Sequence, residues 1–588
     1  MTAKEDDQII SDRILNSQIP DALISLFDSS HLTQIITVLK NIAIDCSELF
    51  YSCLGTAILP RIASHLTSIL EFYKENTVRP HNRLDLDESP HDELLLELLD
   101  LLGAIEHEGA LAQLATQFMP LISPFLCHVN EEIQLTVVKI MSHLSLDPCA
   151  SKTIAHTTIQ TEQMNSRDEV VIVHHSLLSV LCSVYRDYID TYDRCTQKIR
   201  YLGCIAQRRR IWTRNHSHYE PVLVTPNRPT AFNQSELKIL ADIQSTLNHA
   251  SQTLREIAMV FVRLSQWDDE DTQLVLDSGI MSSFGEFLTI ATAQGEFQAM
   301  LMPNELMEKL YAMTTAYQVL TNLEDIQDLI QKEAIPYFTV IDDDIIEDNR
   351  VCQKHLHQPL GHDFRGMIVA NTTDPVSDIL MCLSNTVAGT PEQTRQTLCS
   401  LYPDQSDPYF AFFSALADQI TTGIPVLICE SLFIVHGLTL GPPDIRLAFI
   451  RSELFPLVVS LSGCLSSYKP IHQTTFLEII STLIRSGLTN EAGAFAQQDS
   501  VQREIAIVTV LAVNDPTFEA FVVAASKSRD GKVRARAKQL MDCFQMAKTN
   551  VSPEEFEEMK ITTRVDLFSS QSSYETIVRN PFSTRFPP

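Results

Sequence analysis

Three observations predict an all-α chain assembled as an array of stacked helices. Apolar residues recur at helical spacing through most of the 588 residues. Glycine is scarce, at 17 residues, where average usage is roughly 7%. Short phrases recur at a spacing of about 40 residues, a period that belongs to helical repeat arrays rather than to single globular cores. The expected fold class is an α-α superhelix, a solenoid in which each repeat touches only its neighbours.

The helical period is plain in the run after Asn130, where Ile133, Val137, Ile140, Met141 and Leu144 share one face. Phe476, Ile479, Ile480 and Leu483 repeat the arrangement. Strand-like alternation of comparable length is not expected, apart from the brief PVLVT at residues 221–225.

Two phrases recur within the helical runs. The first is an apolar residue followed by Pro, read as opening a helix: Ile19-Pro20, Leu59-Pro60, Met119-Pro120, Ile335-Pro336, Ile424-Pro425 and Phe455-Pro456. Proline suits a first turn, where its missing N–H would have had no intrahelical partner. The second is a small-or-apolar pair, a spacer, a polar residue and an apolar one: VLKNIA, IMSHLS, VFVRLS, VLTNLE and CLSNTV. Weaker copies stand at LLGAIE, VLCSVY, FIVHGL and TLIRSG. The fourth residues form a ladder of Asn41, Ala104, His143, Ser183, Arg263, Asn322, Asn385, His436 and Arg485. From Ala104 to His143 and from His143 to Ser183 the step is about 40 residues, and from Ser183 to Arg263 about 80.

These phrases resemble the armadillo repeat, in which one helix opens on a Gly-x-Ile-Pro-like step and a later one carries Ala-Leu-x-Asn-Leu-Ala. VLTNLEDIQDLIQKEAIPYFTV, at residues 319–340, joins the two phrases, and LVLDSGIMSSFGEFL, at residues 274–288, is a second such junction. RDGKVRARAKQLMDCF near the C-terminus is similar to HEAT repeats, with an Asp-Gly turn before a basic helix. The resemblance implies a groove in which the ladder side chains hold an extended peptide. An amide offers both a donor and an acceptor, so it pairs with a peptide unit whatever its side chain. Asn41, Asn322 and Asn385 match that position, and His143 and Arg263 replace it. The groove Trp that accompanies Asn in nuclear-import adaptors has no match, since Trp212 and Trp267 precede His216 and Asp271 at the expected offset.

The expected organisation is helical repeats over 1–193, a basic stretch and linker over 194–233, central armadillo-like repeats over 234–341, and an acidic, His-rich loop over 342–374. Armadillo/HEAT-like repeats follow over 375–549 and a disordered tail over 550–588, which opens with a short helix at residues 553–560 capped by Ser552.

With 44 basic and 74 acidic residues, the formal charge is −30. Such a surface repels phosphate backbones and anionic membranes and steers basic partners inward. Thirteen cysteines without a C-x-x-C, several within apolar runs, indicate free thiols in a reducing compartment. The polar start MTAKEDDQIISDR resembles no targeting peptide, so a cytosolic or nuclear location is expected. The greasiest stretch, residues 423–440, contains Pro425, Glu430 and His436 and reads as a core helix rather than a membrane span.

Two basic clusters stand out against the acidic whole. One holds Lys198, Arg200, Arg208, Arg209, Arg210 and Arg214; the other holds Lys527, Arg529, Lys532, Arg534, Arg536 and Lys538. Each suits an acidic partner, RNA or an import receptor, and the competing reading is a solvated helix face. Cys352, His355, His357 and His362 offer the nitrogen and sulfur ligands that zinc prefers, but their spacing matches no common zinc module and no metal is assigned. No phosphate-binding loop, nucleophile elbow or metalloprotease motif is present, and no cofactor is expected. The expectation is a noncatalytic scaffold, adaptor or regulatory subunit that binds proteins through basic or extended segments. Transport-receptor or phosphatase-regulatory work differs only in the partner. An enzyme with dispersed residues ranks below both.

Overall fold

A computed structural model describes residues 17–27, 31–45, 50–76, 91–105, 107–164, 170–216, 234–299, 362–422, 424–486, 500–550 and 554. Contacts divide the chain into two compact units. Unit 1 comprises Met1–Tyr188 and Gln252–Ser283, and unit 2 comprises Ile189–Ser251 and Phe284–Pro588.

Unit 1 contains α1 (Ile19–Leu26), α2 (Leu32–Asp45), α3 (Thr56–Asn76), α4 (Asp92–Gly103), α5 (Leu111–Ile122), α6 (Glu131–Leu144) and α7 (Pro148–His156). An antiparallel hairpin, β1 (Thr158–Met164) and β2 (Val170–Ser176), follows. Three longer helices come next: α8 (Leu177–His216), α9 (Gln234–Trp267) and, after α10 (Asp269–Asp277), α11 (Ile280–Ala299). Helices α8, α9 and α11 contribute residues to both units.

Caps mark several starts. The Asn130 side chain accepts from Glu132 N, Asp147 from Ala150 N and Asp268 from Asp271 N, each satisfying a backbone donor that the first helical turn leaves without a partner. Helices pack in two alternating layers. In one, α2 lies on α4 and α4 on α6; in the other, α3 lies on α5, α5 on α7 and α7 on α10. The C-terminal part of α9 joins the first layer through Arg263, whose Nη1 donates to Ser142 Oγ of α6 at 3.2 Å. Two helices per repeat is the HEAT pattern. Between α10 and α11 the backbone turns on Gly279, at φ 83°, a conformation that side chains with a Cβ rarely adopt.

Unit 2 continues with α12 (His362–Val387), α13 (Pro391–Leu401), α14 (Pro408–Thr421), α15 (Pro425–Leu440), α16 (Pro443–Arg451), α17 (Leu454–Ser460), α18 (Pro470–Ser486), α19 (Ser500–Ala512), α20 (Pro516–Ala525) and α21 (Gly531–Asn550). Seven of these ten helices open within one turn of a proline, and Asp407, Asp515 and a Thr390/Gln393 capping box close three of the starts. Here the packing order has a period of three. α12 lies on α15, α15 on α18 and α18 on α21, while α14 lies on α17 and α16 on α19. The repeats are therefore α13–α15, α16–α18 and α19–α21, with α12 as the third helix of the repeat before them. Three helices per repeat, with the third helices in one layer, is the armadillo pattern. The chain is an all-α, armadillo/HEAT-like repeat protein. Edge-to-face and tilted aromatic rings pack within the repeats, with Phe412, Phe413, Phe449 and Phe455 in one cluster and Phe476, Phe518, Phe521 and Phe544 in the next.

Several expectations need correction. Pro60 and Pro120 lie inside α3 and α5 rather than at their starts. A π-turn at Tyr51–Gly55 precedes Pro60, and α5 gives way to a 3₁₀ turn at Ser123–Cys127 just after Pro120. Such local changes of winding accompany Pro within helices. The β1–β2 hairpin was not expected, because short apolar runs such as VVIV do not distinguish strand from helix by period alone. Helix α8 runs through the first part of the basic stretch, to His216. PVLVT, the junction at residues 319–340, Asn322, Cys352, His355 and His357 lie outside the described residues, as do the proposed cap Ser552 and most of the tail.

One described stretch, Glu108–Cys127, is long and apolar enough by length and composition to cross a membrane. Its helix packs against α3 and α7, with Leu111, Leu114, Phe118, Met119 and Ile122 buried among them.

Candidate partner-binding face

Three of the third helices of unit 2, α12, α15 and α18, are enclosed except along one narrow stripe each. On α15 the residues that are not buried after its first turn fall at Glu430, Phe433, His436 and Leu440, continuing from Val426. These sit four, three, three and four residues apart, one line along a 3.6-residue helix. The stripe on α18 runs through Ile471, Thr474, Glu478, Thr482 and Arg485, and that on α12 through Asp374, Met381 and Asn385. Asp378, only 7% exposed, lies on the same line of α12.

Side chains link one stripe to the next. His436 Nε2 lies 3.4 Å from Glu478 Oε2, and Arg536 of α21 forms an ion pair with Glu478, its Nε 2.6 Å from Oε1. Arg485 donates to Cys543 Sγ of α21 at 3.3 Å. Phe433 and His472 stand with ring centroids 5.6 Å apart. Glu478 is thus held between two basic groups. Burial lowers the His436 pKa, an effect that Glu478 opposes and Arg536 reinforces.

Glu430 differs from Glu478. It is half-buried, and burial alone raises its pKa. It has neither a hydrogen bond nor an ion pair among the described residues. Apolar side chains extend the stripes at their ends, with Val426, Ile471 and Leu440 all exposed. The face therefore offers carboxylates on α12 and α15, guanidinium groups on α18 and α21, and apolar ground around them.

Unit 1 presents a comparable line. Asn41, the C-capping Ala104, His143 and Arg263 stand on α2, α4, α6 and α9, the helices of its first layer, at accessible positions. Lys40 and Asp100 form an ion pair from α2 to α4. Among the groove residues expected from sequence, Asn41, His143 and Arg263 belong to this layer, Asn385 belongs to the stripe of α12, and Asn322 is outside the described residues. Arg208, Arg209, Arg210 and Arg214 lie on the backbone of α8. Sequence reasoning placed His436 and Arg485 on the ladder and Arg536 in a basic cluster, but gave no binding role to Glu430 or Glu478. The signal for Glu430 was present: it is the only acidic residue in the sixteen-residue helix Pro425–Leu440.

Elsewhere in unit 1, Tyr73, Asp92 and His128 form a hydrogen-bonded cluster. The Tyr73 hydroxyl donates to Asp92 Oδ1, and His128 Nε2 lies 3.1 Å from that hydroxyl. Tyr73 and His128 are wholly buried, while Asp92 is partly exposed. Burial lowers the His128 pKa. Burial also pushes the thiols of Cys182 and Cys429 up to about 11, which keeps them protonated and unreactive at neutral pH. Among the described residues no group of three His, Cys, Asp or Glu is placed to hold a metal ion.

No protein-family model matches the chain, and no curated protein matches it. Solved structures similar to it include an engineered protein at 12% identity, covering 92% of this chain and 95% of its own, with a TM-score of 0.41. A designed armadillo repeat protein in complex with a (KR)4 peptide is 9% identical, covers 53% of this chain and 84% of its own, and has a TM-score of 0.28. A second designed armadillo repeat protein is 8% identical, covers 61% and 99%, and has the same TM-score of 0.28. The helix packing order, rather than these similarities, defines the fold class of the chain.

Proposed function

We propose that this chain is a noncatalytic protein-binding scaffold or adaptor, and that an extended segment of its partner lies across the stripes of α12, α15 and α18. The observation that carries this reading is Glu430. A half-buried carboxylate without a hydrogen bond or ion pair among the described residues lowers the stability of the free protein. A basic side chain of a bound segment satisfies it. Asn385 on the neighbouring helix offers an amide for the segment's backbone, and Phe433, Val426 and Leu440 supply apolar contact. Many shallow contacts of this kind sum to useful affinity, while the charge of −30 sets the rate of encounter and its salt sensitivity.

The test uses the full chain panned against a displayed library of random peptides. Enriched peptides are expected to be extended and basic, to weaken with added salt, and to lose about tenfold in affinity with Glu430→Gln or Asn385→Ala. Enriched peptides that bind both variants as tightly as the parent chain would place binding elsewhere and defeat the proposal.

A further inference from the structure

The most basic described segment of this acidic chain lies at the end of the last repeat. Lys527, Arg529, Lys532, Arg534, Arg536 and Lys538 fall within twelve residues, in a protein whose formal charge is −30. The structure shows what each of these charges meets. Arg536 is engaged by Glu478 on the stripe described above. Lys527, Arg529, Lys532 and Lys538 are exposed and have no ion pair among the described residues. The nearest acid in sequence, Asp530, has its Oδ1 committed to the start of α21, where it accepts from Lys532 N at 2.9 Å and Val533 N at 3.0 Å.

The turn before α21 is fixed rather than slack. Arg534 donates through Nη1 to Ser528 O at 2.8 Å, and Asp530 N donates to Ser528 Oγ at 3.2 Å. These bonds bring the turn carrying Lys527 and Arg529 against the base of an α21 stripe. That stripe is Arg534, Lys538 and Met541, at i, i+4 and i+7, flanking the buried line of Val533, Ala537, Leu540 and Cys543. Met541 is 45% exposed. A flexible thioether beside long basic side chains is a surface that adapts to an apolar anchor within a charged segment.

We infer that this surface, formed by Lys527, Arg529, Arg534, Lys538 and Met541, is a second docking site that takes an acidic linear segment of a protein partner. Charge complementarity sets the sign of the partner. Its class follows from the surroundings. A nucleic acid or an anionic membrane extends its charge well beyond one helix and meets the acidic remainder of the chain, whereas a short acidic segment ends where the basic patch ends. The one aromatic residue between Lys527 and Asn550, Phe544, packs edge-on against Phe518 of the same repeat. The site is separate from the stripes of α12, α15 and α18, which favour basic segments, so one scaffold holds two partners of opposite charge.

Fluorescence anisotropy tests the inference, using the full chain and three labelled probes: a Glu-rich peptide with interspersed leucines, single-stranded DNA of equal charge, and a neutral scrambled peptide. Vesicles containing phosphatidylserine, tested by flotation, supply a fourth. The acidic peptide is expected to bind with a steep salt dependence and to lose at least about tenfold in affinity in the Arg534→Glu/Lys538→Glu double variant. Lys139→Glu, an exposed charge reversal in unit 1, is expected to leave it unchanged. Because Arg534 also bonds Ser528 O, Lys538→Glu alone is measured as well, and unaltered hydrogen exchange in α18 and α20 verifies that the last repeat remains folded. Equal binding of the acidic peptide to parent and double variant, or no binding at all, overturns the site. Binding of the DNA or the vesicles as tight as that of the peptide overturns the partner class.

Discussion

His128 and Tyr73 meet with Nε2 and the hydroxyl oxygen 3.1 Å apart, wholly enclosed in unit 1. Asn130 N donates to the other ring nitrogen, Nδ1, at 3.0 Å. The proton of the neutral ring therefore sits on Nε2, facing Tyr73, which passes its own proton toward Asp92. A second proton on Nδ1 removes the bond from Asn130. Burial lowers the His128 pKa below 6.5, so the unfolded chain takes up the proton first and stability falls as pH drops below about 6.5. His128→Ala is expected to cost about 2–4 kcal/mol and Tyr73→Phe about 1 kcal/mol. Hydrogen exchange of α4 and α6 across pH 5 to 8 checks both, and the acid-side loss should shrink in His128→Ala.

Two glycines separate two reasons for the same residue. At Gly279 nothing lies within 4 Å of an added Cβ, but φ is +83°. Gly279→Ala is expected to cost about 1 kcal/mol from backbone strain, and Gly279→Asn less. At Gly285 the backbone is ordinary and space is the limit, because an added Cβ stands 2.1 Å from Leu401 O. Gly285→Ala must push α11 from α13 and is expected to cost about 2–3 kcal/mol. Thermal midpoints of the two variants should rank accordingly.

At the start of α13, Gln393 N donates to Thr390 Oγ1 at 3.3 Å, and Thr390 N donates to Gln393 Oε1 at 2.8 Å. Thr390→Ala removes one half of this box and is expected to cost about 1 kcal/mol, whereas Thr390→Ser should cost only a few tenths. Faster exchange at the first amides of α13, confined to that turn, is the readout.

Glu430 yields a prediction in which stability and binding move in opposite directions. Burial raises its pKa, so the folded chain holds the proton more tightly than the unfolded one. Its contribution to stability is present at low pH and is lost as pH rises through the ordinary Glu value of about 4.3 toward the raised one. Glu430→Leu is expected to stabilise unit 2 by about 1 kcal/mol at neutral pH while weakening the capture of basic peptides. A variant that is both less stable and fully able to bind would contradict the role given to this carboxylate.

The helical period of residues 133–144, the scarcity of glycine and the recurring phrases made the fold class legible without coordinates, because both helix formation and repeat stacking are local in sequence. The Asp530-Gly531 turn was legible for the same reason, since a cap acts on the amides two and three residues ahead. Among the described ladder positions, the place of Asn41, His143 and Arg263 in one helix layer of unit 1 was legible, as was that of Asn385, His436 and Arg485 on third helices of unit 2. The two layering periods were not, because a change from two helices per repeat to three alters which helices touch without altering the pattern within any one of them. Nor were the partners of the charges. Glu478 and Glu430 look alike in sequence, yet one is held between His436 and Arg536 from neighbouring helices and the other stands half-buried with no such pair. The sequence by itself determined helices, turns and repeat; only the tertiary structure decided which charges neutralise one another, because those pairings depend on side chains about 40 residues or more apart in the chain meeting across stacked helices.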